Sequence, residues 1–142
     1  MDALAAQLQS QLCSSGTADP LIEQLQVDGR LVFNPTPPAI DIYPSDPFQE
    51  GLTFGTGNNE LFFTVRARVS TAEHEGGQDL LLSMMDPEAT TSVLQAIVSN
   101  RTLSNTVERV AGVEGPSAFG VFSDAGGTGN LLGCTWRVRV IP

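Results

Sequence analysis

A chain of 142 residues, 41% of them apolar, can build one domain with a single core that hides roughly two-thirds of the surface its unfolded chain exposes. Its formal charge of −9 argues against a general nucleic-acid binder, which needs basic charge to neutralise phosphates. No apolar run approaches the roughly 20 residues of a membrane span, so no membrane partner is expected.

The chain has no lysine. Its seven cations are all arginines, so any cationic contact is planar and can be bidentate. The opening MDALAAQLQSQL carries an Asp and no basic segment ahead of an apolar block, which speaks against a secretory signal and for a cytosolic origin. Cys13 and Cys134 lie far apart among apolar neighbours and in that setting read as buried free thiols.

Taken in order, residues 2–15 place Leu4, Leu8 and Leu12 on one helical face, with Gly16 as the stop. Asp19-Pro20 offers a cap and first-turn proline for a short helical turn through Leu25. Residues 31–33 form a candidate short strand. The next stretch, 34–59, carries Pro35, Pro37, Pro38, Pro44 and Pro47 and then a glycine-rich tail. Proline gives up a backbone donor, so this stretch reads as a stiff projecting arm in which only 39–43 can pair, at an edge. Tyr43, Phe48 and Phe54 on such an arm are candidate contact residues.

The strongest strand pattern follows. Leu61, Phe63, Val65, Ala67 and Val69 alternate with Glu60, Phe62, Thr64, Arg66 and Arg68, which predicts a sheet covered on one side and open on the other. A helix is expected through LLLSMM, its start slipping towards Gly77 because Gly76 and Gly77 each cost about 1 kcal/mol inside a helix. Asp86-Pro87-Glu88 reads as the start of a second helix that buries Val93, Leu94 and Ile97 and ends near Asn100. Strands are expected over 106–114, 117–124 and 130–141, the last two joined as a hairpin. In the last strand Trp136, Val138 and Val140 alternate with Arg137 and Arg139, so a shared sheet would place Arg66, Arg68, Arg137 and Arg139 on its open face.

Catalytic constellations are not evident. DAGGTGN lacks the Lys and Ser/Thr of a phosphate loop and precedes a strand instead of a helix. His74, between two glutamates, has no second ligand at zinc spacing, and there is no nucleophile elbow. No cofactor or metal site is expected. The arginines have three readings: pairing with Glu60 and other acids on a solvated face, pairing with acids of a second copy, or lining a pore that nucleic acid traverses. The balance of charge favours the second over the third.

One family resemblance joins these features. The residues Phe54-Gly55-x-Gly57, Glu60, Phe63-Thr64-Val65, Asp86-Pro87, Val93-Leu94-x-Ala96-Ile97, Arg101-Thr102-Leu103, Gly120-Val121 and Leu132-Gly133 stand in an order similar to that of the tail terminator proteins of long-tailed phages, also called tail-completion or minor tail proteins. The similarity runs from about residue 39 onward. It implies an α+β fold, a single domain over 1–142 with a mixed, mostly antiparallel sheet and helices packed on one face. It also implies a non-enzymatic virion protein whose hexameric ring caps the tail tube, stops tail growth and receives the head–tail connector or stopper. DNA would pass through the lumen without sequence-specific binding. Arg66, Arg68, Arg137 and Arg139 on the sheet, with Tyr43, Phe48 and Phe54 on the arm, are the expected interface residues. Another neck component is the alternative, and a small enzyme is a more distant one.

Overall fold

The computed structural model describes residues 2–13, 25–31, 38–50, 60–70, 74–88, 92–103, 105, 107, 109–123 and 130–141, with 13, 46–50, 70, 74–78, 122–123 and 130 described through their backbone alone. The elements are α1 (Asp2–Cys13), β1 (Gln26–Asp28), β2 (Ala39–Glu50), β3 (Glu60–Ser70), α2 (His74–Met85), α3 (Val93–Val98), β4 (Arg109–Ser123) and β5 (Asn130–Ile141). The five strands form one sheet in the order β1-β2-β3-β5-β4. The β1–β2 pair is parallel and every other pair antiparallel. The fold is therefore α+β with a mixed, mostly antiparallel sheet, as expected.

One sheet face and the three helices make the core. Ile40 and Ile42 from β2, Val65, Ala67 and Val69 from β3, and Cys134, Trp136, Val138 and Val140 from β5 are buried together. Against them lie Leu4, Leu8 and Leu12 of α1, Leu80, Leu81 and Met84 of α2, and Val93, Ala96 and Ile97 of α3. Each fully buried leucine contributes about 1.5–3 kcal/mol. An isolated helix as short as α1 is marginal in water, so its three leucines, more than propensity, hold it in place. Cys134 is a buried free thiol whose pKa burial pushes up to about 12.

Several local expectations are corrected. Residues 39–50 are a strand, not a projecting arm, and β2 lies second in the sheet. The prolines are accommodated because β1 reaches only to Asp41, which leaves the rest of β2 at the edge, and because the β2–β3 register shifts between Pro44 and Gln49. α2 begins at His74 and takes Gly76 and Gly77 into its first turns. Asp86-Pro87 closes α2 and does not open α3: Asp86 Oδ1 accepts from the Glu88 amide at 2.9 Å. The true N-cap is Ser92, whose Oγ accepts from the Gln95 amide at 3.3 Å. Ala96 joins Val93 and Ile97 in the core, while Leu94 is half-buried.

The strands expected over 106–114 and 117–124 are one, β4, and both its halves pair with β5. The break between them survives as register shifts around a cis Gly115–Pro116 bond and Ala118 at φ 55°. β1 was not anticipated. Its hold on α1 comes from Gln9, whose Nε2 donates to Leu25 O at 3.1 Å and whose Oε1 accepts from the Val27 amide at 2.9 Å. The short turn at 19–24 and the strand at 32–33 lie outside the described residues, and Leu31 is exposed outside any strand.

Candidate functional site

The sheet face away from the helices carries the chain's unusual chemistry. Cross-strand register sets it out in rows: Asp41 beside Arg66 beside Thr135, Tyr43 beside Thr64 beside Arg137 beside Glu114, and Phe62 beside Arg139 beside Gly112. Directly paired residues in an antiparallel sheet share a face. Arg66, Arg68, Arg137 and Arg139 therefore do lie on one face, as the alternation predicted.

That face is far less open than predicted. Arg68 is 3% exposed, Asp41 1% and Phe62 4%. Asp41, which the sequence reading did not single out, organises the middle. Its Oδ2 accepts from Arg66 Nη2 at 2.6 Å and lies 3.4 Å from Arg68 Nη2, while its Oδ1 accepts from Arg66 Nε at 3.1 Å. The Arg66 contact is bidentate, the strongest form of the pair. The signal for it was present in AIDIY: once Ile40 and Ile42 face the core, Asp41 and Tyr43 must face the arginines.

Aromatic rings flank this cluster. The Arg66 guanidinium lies 5.2 Å from the Tyr43 ring centroid, and that of Arg137 lies 3.8 Å from the Phe62 centroid, both on the diagonal of the register. Burial lowers the Arg68 pKa, with Asp41 opposing it, yet a guanidinium stays charged at any physiological pH. Burial raises the Tyr43 phenol, partly offset by Arg66. At the bulge of β2, Ser45 Oγ and Thr64 Oγ1 are hydrogen-bonded at 2.8 Å.

The candidate residues thus separate into two groups. Arg66, Arg68, Arg137 and Tyr43 meet around Asp41 and Phe62, inside the chain's own framework. Arg139 sits on the same face but at its corner, exposed. The corner holds two more exposed arginines that the sequence reading passed over. Arg109 opens β4 opposite Ile141, and Arg101 accepts the Val110 amide through its carbonyl at 2.7 Å. Phe48 belongs to β2 with its side chain undescribed, and Phe54 lies outside the described residues.

The loop before that corner is tightly wired. Asn100 Oδ1 accepts from the Thr102 amide at 3.3 Å and its hydroxyl at 2.9 Å, and Leu103, at φ 49°, drops its side chain into the core. A groove of about 300 Å³ runs beside it, lined by Ala3, Ala6, Gln7, Ser10, Gln11, Asn100 and Leu103. Among the described residues no group of three or more His, Cys, Asp or Glu side chains is placed to hold a metal ion. Among the described residues no helix is long and apolar enough to cross a membrane. Neither a protein-family signature nor a curated protein matches the sequence.

Proposed function

We propose that this chain is a structural subunit of the tail-terminator kind, assembling into a ring that caps a phage tail tube, ends its growth and presents a surface to the head–tail connector or stopper. The observation that carries the reading is where the residues of the resemblance fall in the fold. Phe63-Thr64-Val65 lie in the central strand and Asp86-Pro87 at the turn that ends α2. Ala96-Ile97 lie in the core of α3, and Arg101-Thr102-Leu103 in the wired loop that launches β4. Leu132-Gly133 pair with Val121 and Gly120 across the hairpin. These are positions that define elements, so their order is a fold signature more than a catalytic one.

The electrostatics support an assembling protein. A −9 chain that spends some of its seven arginines on exposed positions of one corner is complementary to its own remaining surface. In this reading Arg139 belongs to the contact face, while Arg66 and Arg68 through Asp41, and Arg137 against Phe62, hold that face together. Tail length in lysates lacking the gene, measured by negative-stain microscopy, tests the function. Overlong, variable tails beside tailless heads are expected. Tails of normal length would remove the function, and heads that also leak DNA would move the protein to a connector or stopper role.

A further inference from the structure

We infer that the exposed arginine corner formed by Arg101, Arg109 and Arg139 docks onto the outer face of α2 in a second copy of the chain, where Leu82 is flanked by Asp79 and Glu88. The inference rests on the assembling role proposed above and names its contact surfaces.

The corner is built by backbone geometry. Val110 donates to the Arg101 carbonyl, which fixes Arg101 beside the first residues of β4. Arg109 faces Ile141, and Arg139 stands two residues before Ile141 on the same side of β5. All three arginines are exposed, and among the described residues none of them forms an ion pair. Arg66 and Arg68, by contrast, are engaged by Asp41. Of the four exposed arginines, Arg30 stands apart just past β1 and the other three gather at this corner, away from the centre of the sheet.

The complementary surface is on the helical layer. Asp79 and Leu82 fall at i and i+3 of α2, on the side turned from the buried Leu80, Leu81 and Met84, and Asp86, just past the helix end, donates its amide to the Leu82 carbonyl at 3.1 Å. Leu82 is 45% exposed, and Glu88 follows Asp86 in the exposed turn. An apolar residue set among carboxylates suits a partner that brings arginines, whose stems cover apolar surface while their heads meet acids. DNA is the poorer occupant of the arginine corner, because the rest of a −9 surface repels a polyanion.

Arg109 and Arg139 belong to the sheet face away from the helices and α2 covers the other face, so these two arginines do not meet the α2 patch of their own copy. Pairing is then head-to-tail, the interface type that closes rings or grows filaments.

The test is a charge swap read by sedimentation of the full chain at low salt. One variant carries Arg101→Glu, Arg109→Glu and Arg139→Glu. The other carries Asp79→Lys and Glu88→Lys, and Asp86 stays because it closes its own turn. Wild type should self-associate in a salt-sensitive way, and each variant alone should associate roughly a hundredfold more weakly or worse, because its like charges are juxtaposed. An equal mixture should assemble, because every corner then meets an opposite charge on its neighbour. Circular dichroism confirms that each variant is folded, and a variant that fails is replaced by its Arg→Gln or acid-to-amide counterpart, for which weakened association is expected.

A mixture that stays dissociated overturns the proposal, as does a wild type that remains monomeric at its highest soluble concentration. Unchanged self-association with lost retention on a DNA duplex also overturns it and assigns the corner to a polyanion. Tail length is a separate readout, so a rescued mixture beside normal tails would keep this interface and discard the terminator role.

Discussion

Asp41 sits between two guanidiniums with 1% of its surface exposed, and its removal separates two effects that a contact diagram merges. A buried ion pair adds little net stability, because desolvation offsets most of its Coulombic gain. Taking away one partner is different, since the other charge stays buried without a counter-ion. Asp41→Asn keeps the shape and leaves Arg68, buried at 3% exposure, facing Arg66. The expected loss is about 3–5 kcal/mol, measured as a lower urea midpoint at unchanged m-value. Arg66→Gln should cost less, because Arg66 is the more exposed partner and Arg68 still neutralises Asp41. Equal losses from both variants would mean that the carboxylate is not the centre of the cluster. Charge reversal at Arg66 would by the same argument disturb the fold before it disturbed any assembly.

At the scale of elements, Gln9 does the work of a missing strand. β1 is three residues long and among the described residues pairs with β2 alone, and the Gln9 side chain of α1 donates to Leu25 O and accepts from the Val27 amide. Gln9→Ala leaves those part-buried backbone groups without that partner, at a cost of about 1–3 kcal/mol. Hydrogen exchange should show the Val27 amide losing protection while β3 and β5 keep theirs; retained protection would place the hold on β1 elsewhere. Elements with many repeats of one period were legible from sequence: α1 through Leu4, Leu8 and Leu12, and β3 and β5 through five or more alternating positions. β1 was not, because Gln-Val-Asp carries no period and its partner is a side chain eighteen residues earlier. β2 was read as an arm because proline density is a local signal, whereas the edge position that tolerates it is set by how far β1 reaches. Asp86-Pro87 satisfies the rules of a helix start and of a helix stop equally, and only the packing of Val93 and Ile97 decides between them. The shared face of the four arginines was legible from alternation. The burial of its centre and the addition of Arg101 and Arg109 at its corner were not, since both depend on which strands become neighbours.

At the scale of the whole molecule, a one-layer sheet with helices on one side has two strand edges to defend. Exposed edges invite strand addition by other chains. The β4 edge is interrupted by register shifts, by Gly115 at φ 117° and by Ala118 at φ 55°, which spoil a continuous row of hydrogen-bonding groups beside the exposed Phe119 and Val121. The β2 edge beyond Asp41 has Pro44 and Pro47 instead. Both devices push association away from strand edges and towards side-chain faces, which is what a closed ring of defined size requires and an open β-stack would defeat. Pro44→Val with Pro47→Val gives this edge strand back two backbone N–H groups and removes its two proline rings. The double variant should keep its far-ultraviolet spectrum and, in high salt where charge-driven contacts are screened, aggregate with a rise in light scattering that wild type does not show. Scattering equal to wild type would mean that the β2 edge is protected by something other than its prolines, and the prolines would then be accounted for by the bulge between Pro44 and Gln49 alone.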